Sequence, residues 1–147
     1  MPAVFTALLD EVRSTIVGLA LAGIDSEQIQ IRKQPWHREL SLPGVLLTPI
    51  GELLPREGGT NASNEIGYGI RITLVQAGNQ SLAANLDRLL LWREAIVRAF
   101  HLRRLANVAE SVLCRIEPGA VVESLAADRQ YDVSVLVVRC FSREPRS

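Results

Sequence analysis

The chain has 147 residues, 48% of them apolar and 22% charged, with sixteen basic residues balanced by sixteen acidic ones. That composition suits one globular domain with its own core and excludes a disordered chain. Zero net charge excludes a protein drawn bodily onto nucleic acid or an anionic membrane.

Apolar residues at three- and four-residue steps (Val4, Phe5, Leu8, Leu9, Val12, Ile16, Leu19) predict a first helix over residues 3–22. Pro2 suits its first turn and Gly23 its stop. Residues 28–33, QIQIRK, alternate as a short strand with Ile29 and Ile31 on one side. Pro35, Pro43, Pro49 and Pro55 then remove backbone donors from residues 35–64, which leaves room for short edge strands such as 44–48. The polar string at 57–64, EGGTNASN, predicts a mobile loop. Gly58, Gly59, Asn61 and Asn64 are its candidate docking residues.

Residues 65–76 alternate with a period of two, Ile66, Tyr68, Ile70, Ile72 and Leu74 on one face, and predict a long strand. Gly78 and Asn79 form a turn, and Ser81 caps a second helix running to about residue 104. Its predicted core stripe is Leu82, Leu86, Leu89, Leu90, Ile96, Val97 and Phe100. A strand at 112–116 ends at Pro118-Gly119. The last strand, 131–141, is apolar on both parities, Val133, Val135 and Val137 against Leu136, Val138 and Cys140. Such a strand is central, or one of its faces meets another subunit. The reading is one α+β domain over 1–147, two helices packed on a mainly antiparallel sheet in the order α-β-β-β-α-β-β.

Nothing in the chain predicts catalysis, a cofactor or a metal. His37 and His101 lack ligand-spaced neighbours, and metal sites need three or four convergent donors. The Gly67-Tyr-Gly69 pair lacks the third glycine and following helix of a dinucleotide site, and Gly58-Gly59 lacks the Lys-Ser/Thr of a phosphate loop. The carboxylates stand singly. Asn61-Ala-Ser63 matches a glycosylation sequon, a chance match without a secretory signal. Cys114 and Cys140 have no CxxC spacing and are expected as unpaired core thiols on neighbouring strands, which makes a reducing compartment the default. The longest apolar run near the start, 16–24, falls well short of the ~20 residues of a bilayer span. The expectation is a soluble, unexported protein.

Two misfits stand out. Fifteen of the sixteen basic residues are arginine, Lys33 being the single lysine. A GC-rich genome accounts for this, and so does arginine's planar fork, which suits protein interfaces better than lysine's point charge. On a helical wheel anchored at Leu86, Arg93 falls at the centre of the apolar stripe, Leu91 nearly opposite it, and Trp92 on the flank. A snorkelling arginine beside a tolerated surface leucine and a half-buried tryptophan is one reading. The other is a helix covered on more than one side. On that reading Leu91, Trp92 and Arg93, with Val133, Val135 and Val137, form a candidate subunit interface in which Arg93 pairs with a carboxylate.

The element order and five segments carry a resemblance. These are the first helix, the Pro-rich stretch ending in GGTNASNE, the strand IGYGIRITLV, the helix LDRLLLWREAIVRAF and the closing strand YDVSVLVVRCFSREPR. Together they resemble the tail-terminator and tail-completion proteins of long-tailed bacteriophages, minor tail proteins that form a ring at the end of the tail tube. The resemblance implies a structural virion protein without catalytic residues, closing into a ring with copies of itself, usually a hexamer. It implies docking on the major tail-tube protein, contact with a neck or head-completion protein, and DNA met only as it passes through the lumen. Location in the virion tail or neck after assembly in the host cytoplasm follows, with no membrane contact. Head–tail joining (connector or stopper) proteins of the neck are similar in size and make-up. A small ligand-binding regulatory α+β domain and an enzyme with an unrecognised site are the readings from other classes.

Overall fold

The computed structural model describes residues 3–35, 40–53, 63–78, 82–117, 119, 121 and 131–145. Its first element, α1 (Val4–Gly18), buries Leu8, Val12 and Ile16, a stripe at four-residue steps. The helix stops four residues before the predicted end. Leu19 caps it and Ala20 takes φ +49, the left-handed geometry that closes many helices. Gly23, at φ +80, serves the turn beyond. A 3₁₀ turn (Ser26–Gln28) leads into β1 (Ile29–Ile31), shorter than the predicted 28–33. Arg13 ties α1 to this edge by donating from Nε to Ile29 O and from Nη2 to Ser26 O, each at 2.9 Å.

The next strand, β2 (Gly44–Leu53), is twice the predicted length and runs through Pro49. It is also interior, lying between β1 and β3 (Ser63–Ala77). The reason lies in the direction of the backbone groups. Leu47 O accepts from Arg32 N–H on the β1 side, and with a period of two the missing donor of Pro49 faces that same side. Pairing with β1 ends at Leu47, so the proline forfeits no ladder bond. Strand β3 begins at Ser63, which places Asn64 opposite Glu144 in the ladder and corrects its assignment to the loop. Gly58, Gly59 and Asn61 lie outside the described residues.

Helix α2 (Leu82–Phe100) ends four residues before the expected 104, through Leu102 at φ +59. Two strands follow, β4 (Ser111–Glu117) and β5 (Tyr131–Pro145). The sheet order is β1-β2-β3-β5-β4, with β1 parallel to β2 and every other pair antiparallel. The predicted α+β class and element order are those of the structure. Strand β5 is interior, the first of the two arrangements that its apolar pattern on both parities allows.

Both helices lie on one face of the sheet. Their buried residues share a core with Val45 and Leu47 of β2, Ile70, Ile72 and Leu74 of β3, and Leu136, Val138 and Cys140 of β5. These strand positions are register partners, Leu47 opposite Ile72 and Ile72 opposite Leu136, so one face of the sheet forms the core floor. The opposite face carries Leu46, Thr73, Val75 and Val135, which are buried as well.

Candidate subunit-contact surface

The wheel of α2 turns on Trp92. Among the described side chains of α2, Leu89, Trp92, Ile96 and Phe100 are the buried positions, at steps of three, four and four. Trp92 is 1% exposed and its Nε1–H donates to Ala22 O at 3.2 Å, in the turn after α1. The Arg88 guanidinium lies 5.0 Å from the Trp92 ring centroid and donates from Nε and Nη2 to Gln76 Oε1. Trp92 is therefore a core residue, which corrects its place on the flank and removes it from any surface in the folded subunit.

Rotating the wheel to Trp92 carries other residues outward. Leu86 and Leu90, predicted in the stripe, are 40% and 43% exposed, and Leu91 is 64% exposed. Leu86 and Leu90 are one turn apart and so adjacent on the helix surface, while Leu91 lies about 100° further round, beyond Asp87 and Glu94. The Glu94–Arg98 ion pair borders this apolar strip in the favourable i,i+4 order. The sequence carries a signal for this arrangement. A tryptophan is the largest apolar body in the helix, and anchoring the wheel on it puts Leu86 and Leu90 beyond the stripe.

Arg93 lies at the edge of the buried arc, where it does local structural work. Strand β4 ends at Glu117, opposite Val137, and its ladder with β5 stops before Val135 and Ser134. Arg93 Nη1 donates there to Ser134 Oγ and Val135 O, both at 2.8 Å, and Nη2 to Gly119 O at 3.3 Å. Burial pulls the guanidinium below its ordinary value, and it stays charged all the same. Val133, Val135 and Val137 occupy the sheet face opposite the helices, in line with Val75, Thr73 and Arg71. Val135 is buried and its two neighbours are half-buried within the subunit. The predicted interface thus divides. Leu91 is on the outer surface of α2, Trp92 in the core, Arg93 at the edge of β5 and the valines on the far side of the sheet.

Two polar clusters went unnoticed in the sequence because their members are distant along it. Glu144 Oε2 accepts from Tyr68 Oη and Ser142 Oγ, both at 2.8 Å, on the helix face of β3 and β5. Burial pushes the Tyr68 hydroxyl well above its ordinary value, reinforced by the bond to Glu144 and by the charges of Glu144 and Glu52. On the opposite face, Arg139 donates to Glu117 Oε1 and Gly51 O, each at 2.9 Å, and so joins β5 to β4 and β2. Both clusters are internally satisfied ties between strands. His101 is likewise occupied, its Nδ1 accepting from Ile116 N–H at 3.1 Å. Among the described residues no three His, Cys, Asp or Glu side chains converge as metal ligands. No helix among them is long and apolar enough to cross a membrane.

Compared with known protein families and with curated proteins, the chain matches none.

Proposed function

We propose that the protein is a structural virion component that closes into a ring with copies of itself and caps the tail tube of a long-tailed bacteriophage, ending tube polymerisation and preparing the head–tail junction. The observation that carries this reading is the exposed apolar pair Leu86 and Leu90 on one face of α2, with Leu91 exposed further round the same helix. Scattered surface leucines need no explanation, but neighbouring ones on one helix face favour a protein contact. A formal net charge of zero opposes no self-association. In a ring each subunit offers one flank to a neighbour and a different flank to the other neighbour, so no lateral edge is left. Helix α2 packs over β4 and β5, and Ile31, an exposed apolar residue, is on β1 at the other edge of the sheet. A terminator must copy the docking face of a tube subunit on one rim and refuse further addition on the other.

The test combines light scattering of the purified protein with electron microscopy of tail tubes in its presence. The expected result is a ring-sized species and tubes of limited length capped at one end. Leu90→Glu and Leu91→Glu should keep the circular dichroism of the wild type while losing both ring and cap. A wild-type protein that stays monomeric at every concentration and leaves tube growth unchanged would sink the proposal.

A further inference from the structure

Cys114 of β4 and Cys140 of β5 face each other directly in the antiparallel ladder. Cys114 N–H donates to Arg103 O, and its carbonyl accepts from Leu102 N–H, so both main-chain groups point away from β5. The two cysteines are therefore a non-hydrogen-bonded pair, the class whose Cα atoms approach most closely, to about 4.5 Å. That separation lies within the range a disulfide spans. Both side chains point to the helix face, both are fully buried, and as free thiols their sulfurs stand 3.5 Å apart.

We propose that Cys114 and Cys140 form a pre-positioned dithiol that a peroxide-class oxidant closes into an intrachain disulfide, stapling the edge strand β4 to the centre of the sheet. The chemistry balances in two steps. The Cys114 thiolate attacks one peroxide oxygen and the O–O bond breaks; the released hydroxide takes the thiol proton and leaves as water. The Cys140 sulfur then attacks the sulfenic sulfur of Cys114, the S–O bond breaks, and a second water leaves with the Cys140 proton. Two sulfurs have lost two electrons in all, and one peroxide has gained them. The hydrogen bond between the two thiols holds Cys114 below its ordinary value against the opposing pull of burial, while that same bond and burial push Cys140 up. Cys114 lies on the edge strand and meets the oxidant first when β4 opens, so it is the attacking sulfur, and Cys140 on the interior strand β5 is the resolving one.

Burial sets the conditions. No oxidant reaches either sulfur until β4 opens, and β4 is the edge of the sheet. Its outer side is held by the two bonds to residues 102 and 103 and by the bond from Ile116 N–H to His101. Local opening of such an edge needs far less than global unfolding. Once formed, the disulfide is shielded from reductants by the same packing. The proposal stands whether or not the chain forms rings.

The experiment uses the reduced full-length protein, incubated with a small excess of hydrogen peroxide, then unfolded in an alkylating reagent and weighed by mass spectrometry. The expected product is a monomer lighter by two hydrogens with no alkylated cysteine. Its Tm should exceed that of the reduced protein, by about 10 °C if the closed loop acts through chain entropy alone. Cys140→Ser should stop at a sulfenic acid on Cys114. Two alkylated thiols after prolonged exposure, oxidation of either sulfur beyond the sulfenic level, or disulfide-linked dimers would each overturn the proposal. The wild-type measurements decide it even if the serine variant fails to fold.

Discussion

Trp92 and Leu91 are neighbours in the chain with opposite fates, which a helix imposes by turning about 100° per residue. The Trp92 ring is buried in the shared core, and its one polar atom is bonded to Ala22 O in the turn after α1. Trp92→Ala should cost about 3–5 kcal/mol of stability, from lost burial and the cavity left behind. Leu91→Ala should change stability by no more than about 0.5 kcal/mol, because the side chain is largely exposed. Urea denaturation of the two variants checks both values. A large loss from Leu91→Ala would place that leucine in the core.

Among the elements, α2 and β5 are joined at the point where β4 runs out. Arg93 supplies donors to Val135 O of β5 and to Gly119 O, and Gly119 itself lies against the strand. A Cβ on Gly119 would sit 2.5 Å from Val135 O, a backbone atom that cannot swing aside. Gly119→Ala should therefore destabilise the protein by about 1–3 kcal/mol. Arg93→Met should do so by a similar amount, about 1–3 kcal/mol, by leaving acceptors unpaired. Since both changes disturb one junction, the double variant should fall short of the sum by about 1 kcal/mol. Strict additivity in chemical denaturation would show that Arg93 does not act on the Gly119 segment.

At the scale of the whole molecule, Tyr68 links three elements, packing at a tilt against Phe5 of α1 with ring centroids 4.8 Å apart and donating from β3 to Glu144 of β5. Its hydroxyl is held protonated in the folded state far above the ordinary tyrosine value of about 10. Above about pH 10 the unfolded chain releases this proton while the folded protein keeps it, so the unfolded state binds fewer protons and stability falls as pH rises. The contribution is fully present below about pH 10. Thermal unfolding followed upward from neutral pH should show this decline, and Tyr68→Phe should flatten it. An unchanged slope in the variant would mean that other groups govern the alkaline limb.

Residue periodicity by itself determined the class of fold, the order of elements and which side chains share a face. The alternation from Ile66 to Leu74 and the four-residue steps of α1 follow from the local geometry of strand and helix. So does the limited choice of place for β5, whose two apolar parities exclude a solvent-facing strand. What the pattern does not contain is its phase against the rest of the chain. The α2 wheel has several apolar residues, and packing against α1 and the sheet selected the Trp92 side, leaving Leu86 and Leu90 outside. Strand order and register are likewise non-local. Only the assembled sheet shows that β1 runs parallel to β2, that Pro49 faces an edge β1 does not reach, and that the valines of β5 lie across the sheet from α2. Two thiols separated by 26 positions become a facing pair for the same reason, because pairing of β4 with β5 sets their distance and no local rule does.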